Sequence, residues 1–223
     1  MKRPLKHFRM KKILRLFLLS LISIQSITGF SQSAKEVFVS NSETKLTYLG
    51  IDFTKTRLIG DTAANATDIR DRQFTAINEV VVNEPKKYEI SAAFDRAQIE
   101  NDLTLVTKRN QEIKAEEIKS TNAGDYERLK ESDITTLVDG FNFENKSGVG
   151  ILLVMEAMDK SRKAASIWVT LVDMKSKKVL MTERLEPKTS AGFSFRNYWA
   201  STIRNLLETI DKKKYKEWKQ KYS

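Results

Sequence analysis

The chain has 223 residues, with 39 Lys and Arg against 29 Asp and Glu, a formal net charge of +10, one histidine and no cysteine. The missing cysteine excludes disulfides, thiolate chemistry and a lipid attached through Cys. The sole histidine, His7, lies in the basic N-terminal stretch, so the rest of the chain cannot carry Ser-His or Cys-His nucleophilic catalysis or an ordinary zinc site.

Residues 1–31 have the three-part layout of a secretory signal peptide. Seven basic residues and no acid accompany an apolar run, Leu16 to Ile24. That run is too short for a bilayer, which takes about 20 residues. Gly29 and Ser31 then occupy the −3 and −1 positions of an expected cleavage before Gln32. Met10 would also start a complete leader. An uncleaved anchor is the competing reading, opposed by Gln25 and Ser26, which interrupt the run. Removing residues 1–31 leaves 32 basic against 29 acidic residues. The high charge therefore belongs to the leader, and no nucleic-acid face is implied. The expectation is one periplasmic or secreted globular domain over 32–223, with no transmembrane segment after processing and no cofactor.

Residues 45–53, KLTYLGIDF, read as a strand with a register break near Gly50. DTAANATD is a loop, and Asp68 is the expected cap of a helix to about Asn83, with Phe74, Ile77 and Val81 on one face. Pro85 ends it. The periods mix over 86–130, where the reading is helix near 91–100 and a short strand at 103–107. SDITTLVDG predicts a short helix with Ser132 as cap and Gly140 at the C′ position. Three strands follow, 149–158, 165–173 and 178–186, the first apolar on both faces and joined to the others by short turns that favour an antiparallel meander. A long helix then carries Trp199, Ile203, Leu206 and Ile210 as one stripe. The predicted class is α+β, a mixed or antiparallel sheet with helices mainly on one face.

TLVDMKSKKVLMTERL followed by an amphipathic helix resembles the end of the small periplasmic α/β domains of the curli secretion channel and of the N-terminus of TolB, over about residues 134–210. The whole chain is similar to an uncharacterised family of secreted bacterial proteins carrying GIDF…LIGD, VMEAM, WVTLVDMKSKKVL and FRNYWAS. The resemblance implies a periplasmic domain that meets another envelope component. The lipidated cysteine and membrane hairpins of the channel family are missing, so pore formation is not implied.

Four features compete as sites. Glu156, on an alternating strand with Leu152, Val154 and Met158, is either a general acid with a raised pKa in a carboxylate-based hydrolase or a strand residue paired with Lys or Arg. Phe193, Phe195, Arg196, Asn197 and Tyr198 form a stacking cluster suited to a glycan or peptide, or else an anchor pinning a helix to the sheet. The turns DKSRK and DMKSKK are basic but belong to opposite ends of a meander. The tail DKKKYKEWKQKYS is either a solvated helix end or a surface for an anionic membrane or polymer. The leading expectation is a non-enzymatic domain that binds an envelope protein or glycan.

Overall fold

The computed structural model describes residues 33–39, 44–190 and 192–222, all within the unit formed by residues 31–223. The expected leader and its cleavage site lie outside the described residues. In chain order the elements are α1 (Ala34–Val39), β1 (Leu46–Asp52), β2 (Arg57–Ile59), α2 (Ala66–Asp68), a π turn (Ile69–Gln73), α3 (Phe74–Asn83), α4 (Ile90–Ala93), β3 (Glu100–Asn101), α5 (Thr104–Gln111), β4 (Lys119–Ser120), α6 (Glu131–Asp139), β5 (Val149–Asp159), β6 (Ala164–Asp173), β7 (Lys178–Leu185), α7 (Phe195–Thr209), a second π turn (Ile210–Lys214) and α8 (Tyr215–Tyr222).

The class is α/β, which corrects the α+β expectation. A strongly curled path of five strands, β3-β1-β5-β2-β4, is parallel at every pairing. β6 and β7 extend the sheet antiparallel from the other edge of β5. β6 pairs along the whole of β5, so β1 and β2 must share the opposite edge in succession: β1 faces Val149–Val154 and β2 faces Ala157–Asp159. Helices cover both faces, which corrects the one-face expectation. On β5, Ile151, Leu153 and Met155 join Phe74 and Ile77 of α3 and Trp199 and Ile203 of α7. Leu152 and Val154 point the other way, onto Val106 of α5 and Ile134 and Val138 of α6. Three of the parallel strands are only two or three residues long, too short to carry a period in the sequence.

The helical middle is also corrected. Helix forms at 104–111 and not at 91–100, where only Ile90–Ala93 is helical. Asp102 starts α5 by accepting from the Thr104 backbone N–H at 3.1 Å, and Leu105 and Val106 are buried. Alternation in "LTLV" imitates a strand, but the local side-chain bond to backbone favours a helix start. Asn65, not Asp68, caps α2, accepting from Asp68 N–H at 3.1 Å. The cap of α6 is Lys130, whose N–H donates to Asp133 at 2.7 Å, and Gly140 is right-handed (φ −74°).

Two irregularities matter for the site. Gly50 sits at the register shift of β1 with φ +95°, a conformation that favours glycine, and any Cβ there would lie 2.7 Å from Leu103 and 2.8 Å from Val106. The second lies between Met155 and Ala157, so Glu156 is the extra residue of a β-bulge. Beyond it the side chains change face. Met158 therefore joins the core of Ile151 and Leu153 and does not share a face with Leu152 and Val154 as alternation requires.

Candidate functional site

The carboxyl end of β1 is where this fold concentrates polar chemistry. In the sheet β1 lies between β3 and β5, and the turn at residues 53–56 at its carboxyl end carries the chain directly into β2, farther along the same edge of β5. Past Tyr48, no strand among the described residues pairs with the β3 edge of β1, and two buried amides take its place. Asn78 of α3 accepts from Ile51 N–H at 2.8 Å and donates to Ile51 O at 3.0 Å. Asn110 of α5 accepts from Phe53 N–H at 2.8 Å and donates to Ile51 O at 3.0 Å. Satisfying these backbone groups lets β1 end inside the fold without orphaned donors.

Asp52 closes the strand. Its Oδ1 accepts from the Thr54 N–H at 2.8 Å and the Thr54 hydroxyl at 2.5 Å, and its Oδ2 pairs with Arg109 Nε at 2.7 Å. Asp52 is fully buried and Arg109, stacked 4.2 Å from the Phe141 ring, is one-quarter exposed. The turn is completed by Thr56, whose N–H donates to Phe53 O and whose hydroxyl donates to Met155 O at 2.8 Å. Lys55 is thereby thrust outward from a fixed turn.

Two adjoining hollows share Lys55 and Arg109 in their walls. One, of about 260 Å³, also takes in Arg57, Glu112, Lys114 and Glu117. The other, of about 490 Å³, takes in Arg128, Asp133 and Thr136. Arg109 is neutralised by Asp52, and Lys114 lies 3.7 Å from Glu117. Among the described residues, Lys55, Arg57 and Arg128 have no carboxylate oxygen within 4.0 Å. Arg128 donates through Nη2 to the Lys55 carbonyl, while its Nε is shielded and unpaired. Burial, and then the like charge of Arg57, push the Arg128 guanidinium below its ordinary range.

Glu156 is the base of this arrangement. It is fully buried and accepts four hydrogen bonds: Leu129 N–H at 2.5 Å on Oε1, and Ser166 Oγ, Trp168 Nε1 and Arg184 Nε, each at 2.9 Å, on Oε2. Arg184 also donates to Leu129 O at 2.5 Å and lies over the Trp168 ring at 4.7 Å. The pair grips Leu129 by both backbone groups and so sets the position of Arg128. A carboxylate surrounded this way can hold a segment in place, and it offers no exposed atom to a substrate.

The aromatic cluster is divided by its helix. Phe195 and Tyr198 are half-buried, edge-on to the buried Trp199 at 6.3 and 5.0 Å. Arg196 and Asn197 are exposed and bond each other at 3.1 Å, and Phe193 projects fully into solvent. The structure therefore puts Phe193, Arg196 and Asn197 outside and Phe195 and Tyr198 against the core. In the tail, Tyr215 and Trp218 are buried against Phe38 of α1, and Lys214 pairs with Glu183 at 2.7 Å.

Sequence reasoning missed Lys55, Arg57, Arg109 and Arg128. Lys55 and Arg57 have one signal, the cationic turn "DFTKTR" at the carboxyl end of a strand, and Arg109 and Arg128 have none. No group of three or more side chains that could hold a metal ion occurs among the described residues, and no helix there is long and apolar enough to cross a membrane. Comparison with known proteins finds no matching family model, curated protein or solved structure.

Proposed function

We propose that this is an exported, non-enzymatic domain that binds another cell-envelope component through an anionic group seated at the carboxyl end of β1. The observation that carries the reading is the set of three cations, Lys55, Arg57 and Arg128, with no carboxylate oxygen within 4.0 Å among the described residues, on a frame fixed by two buried ion pairs. Unneutralised cations in a concave site favour an anion, and a frame ordered beforehand lowers the cost of binding it. Export rests on the basic, apolar and small-residue order of residues 1–31.

A second reading is favoured by the full exposure of Phe193: a glycan or peptide docks on Phe193, Arg196 and Asn197. Photo-crosslinking residues placed at 55 and at 193 in the native envelope separate the two. The first reading requires an adduct from position 55 that fades as salt is raised. Adducts from position 193 alone would establish the second in its place.

A further inference from the structure

We infer that the anion taken by the cleft is a single phosphoryl group in its dianionic form, carried as a phosphomonoester. This deepens the proposed anion-binding reading and rests on it. Three cations without a carboxylate at ion-pair distance among the described residues exceed what one carboxylate neutralises, whereas a phosphomonoester carries close to two negative charges and three acceptor oxygens. The donor types fit as well. Arg57 and Arg128 are planar forks suited to phosphoryl oxygens, and Lys55, shared by both hollows, is a mobile point charge between them. Arg57 lowers the pKa of Arg128, partly offset by Asp125, Glu156 and Asp133, and an anion in the adjoining hollows adds to that offset.

The surroundings set the ligand's size and total charge. Glu112, Glu117 and Asp133 line the same hollows and oppose a long polyanion, which favours one compact charged group. The hollows measure about 260 and 490 Å³. Both hollows are open to solvent and leave room beside a phosphoryl group. An organic group attached to the phosphate would occupy it.

The test is isothermal titration of the purified protein at matched ionic strength. The probes are glycerol 3-phosphate, inorganic phosphate, sulfate, acetate and vesicles containing phosphatidic acid. Glycerol 3-phosphate should bind tightest among the soluble probes and acetate least. Its affinity should fall between pH 7.5 and 5.5, as the ester takes up a proton with pKa near 6. Sulfate, which does not titrate there, should keep its affinity, so a change in the protein itself would be visible with both. Lys55 is exposed, so Lys55→Gln should keep the fold while weakening the ester about tenfold, as losing about 1.4 kcal/mol of a charged contact does; Arg57→Gln should do the same. Glycerol 3-phosphate and vesicles binding together identifies a lipid headgroup as an acceptable source, and the soluble ester alone identifies a free one; both support the phosphoryl assignment. Acetate binding as tightly as the ester, or a pH response shared with sulfate, overturns the phosphoryl assignment and leaves the anion cleft standing. No binding of any anion, or a Lys55→Gln variant that binds unchanged, overturns the cleft itself.

Discussion

Replacing Arg184 by Met should be among the most damaging single changes on the sheet, although Arg184 lies in the last strand and is partly exposed. Glu156 is fully buried and Arg184 is the only cation within ion-pair distance of it among the described residues. Removing one partner of a buried pair costs about 3–5 kcal/mol, because the other charge is left uncompensated. The stack on Trp168 adds to this, at about 0.5–1 kcal/mol. The backbone oxygen of Leu129 also loses its donor. We expect a loss of about 3–5 kcal/mol in urea titration followed by tryptophan fluorescence, with Trp168 in direct contact with the site. Glu156→Gln removes the opposite charge of the pair and keeps an acceptor for Ser166 and Trp168. The double variant should therefore lose less than the sum of the single losses by more than 1 kcal/mol, as coupled residues do. A loss below about 1 kcal/mol for Arg184→Met, or strict additivity, would refute the view that this pair holds the Arg128–Leu129 segment.

Gly50→Ala should cost more than about 2 kcal/mol by the same assay, since it combines a positive φ with close contacts at 2.7–2.9 Å to Leu103, Val106 and Asn78; an unchanged midpoint would show that β1 can shift. Asn110→Ala should cost about 1–3 kcal/mol by stranding Phe53 N–H, and should also expose that amide to hydrogen exchange. Trp199→Ala should cost about 3–5 kcal/mol and Phe193→Ala within about 0.5 kcal/mol, because one is buried and the other is not; equal losses in thermal denaturation would contradict these positions. Asp68, Asp71, Glu144 and Glu217 are held below the ordinary carboxylate range by hydrogen bonds from Arg72, Arg70, Lys108 and Lys214 respectively. A depressed folded pKa gives stability that is present above the unfolded value and is lost as pH falls through the folded one. Stability should thus be flat above about pH 5 and decline below about pH 4, and a rise on acidification would contradict the sign.

What could be read in advance followed from how strongly each segment repeats. Strands β5, β6 and β7 have eight to eleven residues, enough for a period, and the α7 stripe through Trp199, Ile203, Leu206 and Ile210 is buried as a helical face requires. The parallel half of the sheet was hidden because Glu100–Asn101 and Lys119–Ser120 are two residues each and pair across tens of residues of sequence. Glu156 was visible as an acid among apolar residues, but its role depends on a bulge and on Arg184, 28 residues away. The cleft cations were harder still. Lys55, Arg109 and Arg128 come from a turn, a helix and a loop, and ordinary surface residues look the same in sequence. The tail aromatics Tyr215 and Trp218 matched helical spacing, yet their burial depends on Phe38 of α1.

The claim on which the account turns is that an anion binds at the carboxyl end of β1. Nitrogen-15 spectra of the arginine Nε–H groups, recorded while glycerol 3-phosphate is added, address it residue by residue. The account requires the resonances of Arg57 and Arg128 to move together and saturate, with Arg96 and Arg204, which lie elsewhere in the fold, unchanged. Saturable shifts confined to Arg196 and the amides around Phe193, with Arg57 and Arg128 still, would contradict it and move the binding site to the start of α7.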